Sequence, residues 1–153
     1  MIVQVSVEGR WKGVRRREIL RRAQTMMKAL ALWEAELSIL LTSDEHIRVL
    51  NRIYRGKDRP TNVLAFAMQE GEGSAFAKHL LGDIVMSVAT AKVQAVAANR
   101  SLLDELTVLL AHGLLHLLGW DHETAAKDRK MKAETDRLCL LAGVEEGSLA
   151  FTH

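Results

Sequence analysis

Residues 101–122 read SLLDELTVLLAHGLLHLLGWDH, and no other segment of the chain constrains its neighbours as much. Ser101, with Asp104 three positions on, is a helix start signal. Leucines then fall on most sides of the predicted helix, so it belongs in an interior and other elements must surround it. His112 and His116 are four apart and project from one face, a turn apart. Two imidazoles so placed can share one metal ion, as in the H-E-x-x-H pattern. Gly119 can take a left-handed conformation that ends the helix and turns the chain back, which returns His122 as a third ligand. Three protein nitrogens and an open position describe a catalytic zinc site, whereas structural sites are usually closed by four ligands, mostly cysteines. A lone histidine in such a helix reads as a hydrogen-bonded core residue. Three at this spacing, followed by a helix-ending glycine, read as a metal site.

Outward from that helix the pattern alternates between periods. Downstream, an amphipathic helix runs over about 124–142 and stops at Gly143, leaving a short frayed tail in which His153 is only a terminal residue. Upstream, Ser87 caps a helix over about 88–99 whose alanine-rich face suits close packing. Residues 80–87 read as a strand with Asp83 embedded in it, and 63–68 as another. Between these two strands, residues 69–78 with Gly71 and Gly73 read as a flexible connection. Thr42 and Glu45 stand at capping-box spacing before a helix to about Tyr54 that buries Ile47, Leu50 and Ile53. Arg48, Arg52 and Arg55 make one side of it positive. Residues 36–41 form a strand, and 2–7 alternate Ile-Val-Gln-Val-Ser-Val as a first strand. Over about 14–32 the period is helical. Ile19, Leu20, Ala23, Met26, Met27 and Leu30 share a stripe, while Arg15, Arg17, Arg21, Arg22 and Lys28 fall mostly elsewhere. Such a charged face is either solvated or a surface for phosphates.

The order is strand, helix, strand, helix, two strands, three helices. It predicts an α+β fold: a small mixed sheet of about four strands packed with about five helices, the metal site on a buried helix and the turn after it. At 153 residues without repeats, low-complexity tracts or linkers, residues 1–153 read as a single domain. The apolar share of 48% and charged share of 26% are ordinary for a globular protein. The sole cysteine, Cys139, allows no internal disulfide, lies in an apolar helical pattern as a core residue, and suits a reducing compartment. No apolar leader and no membrane-length run is present, so the expectation is a cytoplasmic protein with no membrane partner. A net charge of +2 does not by itself imply nucleic acid.

Zinc on three neutral imidazoles lowers the pKa of a bound water to about 7, giving a hydroxide for esters, amides or phosphodiesters. In zinc peptidases the residue after the first histidine is the glutamate base. Here it is Gly113. The H-x-x-x-H-x-x-G-x-x-H spacing matches the metzincin peptidases without their base, which demotes a peptidase or amidase. A phosphodiester asks instead for cations near the metal. Residues 54–62, YRGKDRPTN, form a loop holding the chain's only proline, and the arginines of 48–59 could supply that charge.

With these features together, the chain resembles the YbeY-type endoribonucleases of bacterial ribosomal RNA maturation. Their motif H-G-x-L-H-L-x-G-Y-D-H is reproduced from His112 to His122, except that Trp120 stands for the usual tyrosine. The segment YRGKDRPTNVLAF (54–66) resembles a second block and LGDIVMS (81–87) a third, so the likeness spans most of the chain. The resemblance implies that His112, His116 and His122 bind one zinc ion and that Arg55 serves activity. It implies a metal-dependent endonuclease for single-stranded RNA, acting on the 3′ end of 16S ribosomal RNA and in ribosome quality control. The partners it implies are ribosomal RNA, the small ribosomal subunit and its assembly factors, in the cytoplasm. Water or a 2′-hydroxyl could be the nucleophile, and three imidazoles also suit copper, nickel or iron. A non-catalytic ribosome-assembly factor with a structural metal is the remaining alternative. Asp121 could orient a histidine or cap a turn. Asp83 could face the cleft or be a hydrogen-bonded structural residue. Lys57 and Arg59 read as solvated cations.

Overall fold

The alternating β-branched run at the N-terminus forms strand β1 (Ile2–Val7). Helix α1 (Arg16–Ala29), strand β2 (Glu36–Thr42), helix α2 (Asp44–Arg55) and strands β3 (Val63–Ala67) and β4 (Leu80–Ser87) follow. Helices α3 (Val88–Ala97), α4 (Leu102–Leu117) and α5 (Ala125–Ala142) complete the described helical layer. The structure, a computed structural model, describes residues 1–68 and 79–149. The connection read over 69–78 and the residues 150–153, His153 included, lie outside the described residues.

The strands lie in the order β1-β2-β4-β3. β1, β2 and β4 are parallel, and β3 runs antiparallel on β4. This is the mixed sheet of an α+β fold that the pattern predicts. One sheet face, carrying Val5, Leu37, Ile39, Leu41, Ile84 and Met86, shares the main core with α1, α4 and α5. On the other face, Ile47 of α2 is buried with Leu64 and Val85, and Leu40, Leu50 and Phe66 pack beside them. Alternation along each strand separates the two faces. Asp44, the first residue of α2, accepts hydrogen bonds from Ser87 and from Thr90 (2.6 Å), which fastens α2 to the start of α3.

Four details differ from the sequence pattern. Ser43, not Thr42, caps α2, its hydroxyl accepting from the His46 amide at 3.2 Å. Thr42 is still in the β2 ladder opposite Ser87, and its hydroxyl donates to Glu8 at 3.2 Å. Ile53 is not buried but 62% exposed, because α2 packs its Ile47 side on the sheet and its last turn is left open. Arg22 leaves the charged face of α1: it is 8% exposed and donates to Asp104 (2.7 Å) and Thr107 (3.0 Å) of α4. The segment after α5 is not frayed over its described length. Val144 and the 3-10 turn Glu146–Leu149 pack their apolar side chains into the core. Cys139 is a free, fully buried core thiol, and burial pushes its pKa up to about 12.

Candidate metal centre and its cleft

Helix α4 starts where Ser101 accepts a hydrogen bond from the Asp104 amide (3.1 Å). It is buried over most of its length, with Leu106, Leu110, Leu114 and Leu115 at 1% exposure or less. Its close approach to the sheet rests on Gly113. A Cβ there would lie 2.9 Å from Ile84 Cγ2 and 3.2 Å from Cγ1 and Cδ1. Gly113 therefore points into the sheet, and a longer side chain at this position runs into Ile84. Gly113→Ala should gain about 1 kcal/mol of helix propensity and lose about 1–3 kcal/mol to overpacking. The net expectation is a loss of roughly 0–2 kcal/mol, read as a lower unfolding midpoint in urea, and a raised midpoint would contradict the contact.

The helix ends as its sequence requires. Gly119 has φ 89°, the Gly119 amide donates to the His116 carbonyl (3.0 Å) and the Trp120 amide to that of Leu115 (3.0 Å). These are the two bonds of a Schellman motif. The turn carries the chain back so that the His122 ring stands beside that of His116, with centres 5.9 Å apart and planes at 74°. Two imidazoles on one tetrahedral zinc at ~2.0 Å put their ring centres roughly 5 Å apart, so this spacing is close to a shared-ion geometry. His112, half-buried, lies one turn before His116. The three side chains are not drawn into a closed shell: among the described residues, no three His, Cys, Asp or Glu side chains stand close enough to hold a metal ion. The buried helix also does not enclose its last histidine: His116 is exposed, as is His122 beyond the turn, and the site opens to solvent.

The electrostatics suit a ligand. Partial burial of the ring holds the His116 pKa below its ordinary value, and the neighbouring His122 and Arg55 charges act in the same direction. A hydrogen bond with the Trp120 backbone and the Asp121 charge oppose them. A ring favoured in its neutral form has a lone pair for a cation, and a ring N–H held by backbone is the usual support of a metal-bound histidine. The donor set and the backbone spacing fit a transition metal of the zinc type.

Opposite His116 stands the outer edge of the sheet. Asn62 accepts from the Ser87 amide and the Met68 amide donates to Leu81, so the even-numbered residues of this segment bond to β4. The amides and carbonyls of Val63, Ala65 and Ala67 therefore point away from the sheet. They line a cleft of ≈ 450 Å³ together with Leu64, Arg55 and His116. Arg55, at the end of α2, reaches in and donates from Nη2 to the Ala65 carbonyl at 2.7 Å. The fold thus brings Arg55 and His116 into one cleft, with His122 against His116.

Other candidates are placed elsewhere. Asp121 is a turn residue, its carboxylate accepting from the Glu123 amide (3.0 Å) and facing Lys127 (3.4 Å). Asp83 lies on the sheet face away from α4, in a groove with Ser38, Tyr54, Phe66 and Met68, and does not face the cleft. Arg48 is paired with Asp58 at 2.9 Å, while Lys57 and Arg59 are exposed. The Trp120 ring packs beside the main core. Two features of the cleft were not read from the sequence. The edge position of β3 among the described strands depends on strand order, which no local signal carries. Phe66, which lies beneath the Arg55 guanidinium on the other sheet face and supports the cleft without lining it, sat within a motif but had no assigned part.

The family model for Endoribonuclease YbeY matches residues 6–142. The chain is 48% identical over 131 residues to the Endoribonuclease YbeY of a Synechococcus species, covering 81% of this chain and 79% of that protein. With that of Geobacter sulfurreducens it shares 39% over 133 residues (87% and 89% covered), and with that of Aquifex aeolicus 40% over 137 residues (90% and 89%). The fold is similar to the solution structure of TM1509 from Thermotoga maritima, with a TM-score of 0.61 and 26% identity over 92% of this chain and 89% of that one.

Proposed function

The chain belongs to the YbeY endoribonuclease family, an enzyme family that hydrolyses phosphodiester bonds, and from that premise we propose that it cuts single-stranded RNA at a zinc ion held by His112, His116 and His122. The observation that carries this reading is the cleft shared by His116 and Arg55. One wall offers a ring favoured in its neutral form, and the other offers a fixed cation. Peptide cleavage is the weaker reading, because the position of the peptidase base is Gly113, packed on Ile84.

In this reading the three histidines close on one ion by rotation of their side chains, with the helix turn and the Gly119 turn setting the backbone. When bound, the ion supplies a water of lowered pKa and a Lewis acid for a phosphoryl oxygen. Arg55 sits across the cleft and offers N–H groups to the phosphate, whose charge grows as the bond breaks. The outward amides of Val63, Ala65 and Ala67 are further donors along the same wall. Trp120 braces the turn from the core side, and its backbone orients the His116 ring.

The biological setting we propose is maturation of the 16S ribosomal RNA 3′ end and ribosome quality control in the cytoplasm, on the small ribosomal subunit with its assembly factors. Residues 1–153 act as one domain in this reading. Among the described residues no helix is long and apolar enough to cross a membrane.

The test is direct. Purified protein should contain about one zinc per chain and cleave a single-stranded RNA faster than the same sequence in a duplex. A chelator should abolish cleavage, and added zinc should restore it. Metal-free protein with undiminished RNA cleavage would overturn the reading.

A further inference from the structure

An arginine at the end of an exposed helix is ordinarily a solvated chain that keeps most of its rotamers. Arg55 is not in that state. One N–H is fixed on the Ala65 carbonyl at 2.7 Å. Its guanidinium carbon lies 5.4 Å from the centre of the Phe66 ring, within cation–π range. Phe66 is itself held. The Tyr54 ring meets it at 5.2 Å and 61°, and its side chain packs beside the buried Ile47, Leu64 and Val85. A guanidinium has five N–H donors, and the Ala65 bond uses one, so a phosphate can still be met by two others.

We infer that Phe66 is a positioning residue for Arg55: its ring and the Ala65 carbonyl fix the guanidinium in the His116 cleft before a phosphodiester arrives. This rests on the reading of Arg55 as the phosphate contact. Leucine at position 66 keeps an apolar side chain over Ile47 and Val85 but offers no ring face, so Arg55 is left with the Ala65 bond alone and part of its ordering must be supplied at each encounter. Tyrosine keeps the face.

The experiment is a double-mutant cycle on RNA cleavage. Phe66→Leu, folded, should lower kcat/KM about tenfold, the scale of ordering one long side chain. Phe66→Tyr should restore it. In an Arg55→Ala background, Phe66→Leu should cause no further loss, because it acts only through Arg55. A second readout needs no activity. The Arg55 Nε–Hε resonance should carry an upfield ring-current shift in the wild type and Phe66→Tyr, and lose it in Phe66→Leu. Losses that multiply in the double variant, or an Arg55 resonance unmoved by Phe66→Leu, would overturn the inference. Full cleavage by Arg55→Ala would instead remove the phosphate role beneath it, and the resonance would still report whether Phe66 holds the guanidinium.

Discussion

His116→Ala should lose its zinc and cleave single-stranded RNA at least about 10²-fold more slowly, yet remain folded. The expected loss reflects the several kcal/mol that a Lewis acid contributes to stabilising transition-state charge. Folding should survive because the ring is exposed, whereas the helix is held by leucines that are fully buried. The substitution removes one hydrogen bond with the Trp120 backbone, about 1 kcal/mol. The variant also gains helix propensity at a position in the last turn of α4. The pairing of lost metal with retained fold separates a catalytic from a structural ion, since loss of a structural metal removes folding energy outright. Metal content by mass spectrometry, far-ultraviolet circular dichroism and an RNA cleavage assay measure the three quantities. A variant that unfolds would favour a structural metal. One that keeps zinc and full cleavage would remove His116 from the site.

The same substitution bears on pH. Metal binding needs neutral imidazoles, so affinity falls as they take up protons. Because partial burial lowers the His116 pKa, the proposed zinc binding should persist to a lower pH than an ordinary histidine would allow, read as metal content against pH. The sign is fixed by the neutral form being the one favoured in the fold.

What the sequence makes legible is whatever depends on neighbours along the chain. The α4 cap at Ser101, the Gly119 turn and the return of His122 are local, and they follow from residues within six positions of one another. The order of strands and helices is carried by period alone. What depends on distant partners is not legible. Arg22 looks like its neighbours on α1 until Asp104 and Thr107 of α4 bury it. Thr42 has capping chemistry, but its place in the β2 ladder leaves the cap to Ser43. Asp83 alternates with the core residues of β4, so which face it takes depends on where α4 lies. The clearest case is Gly113. Its lack of a carboxylate is plain in the sequence and speaks against a peptidase. Its contact with Ile84 is a packing fact that only the fold supplies.

Among the described glycines, Gly82 is the one where a methyl group should be most damaging. Gly82 has φ +148°, and a Cβ built there would lie 2.2 Å from the Phe66 carbonyl oxygen, 3.1 Å from its carbon and 2.9 Å from Leu117 Cδ2. The obstruction is backbone, so no rotamer relieves it. The conformation costs about 1–3 kcal/mol for a residue with a side chain, and the overlap a further 1–3 kcal/mol or so. The sum, roughly 2–6 kcal/mol, is a large part of the 5–15 kcal/mol or so that stabilises a typical protein. At roughly 2–4 °C per kcal/mol for a chain of this size, Tm should fall by roughly 4–24 °C. Gly56→Ala is the control. It also has positive φ (70°), but its Cβ would meet nothing within 4 Å, so it should cost only about 1–2 kcal/mol. The consequence for function follows from register. Gly82 pairs with Ala67 on β3, and the methyl pushes against the carbonyl that separates Ala67 from Phe66. Relief moves β3 off β4, and with it the Ala65 carbonyl and the Phe66 ring that hold Arg55, while Leu117 shifts beside His116. Both walls of the cleft are disturbed together. Folded Gly82→Ala protein should therefore cleave RNA more slowly than the folded fraction alone accounts for, whereas Gly56→Ala should lose activity only in proportion to unfolding. Equal Tm values for the two variants would show that β3 and β4 separate without cost, and the packing account of this edge would fail.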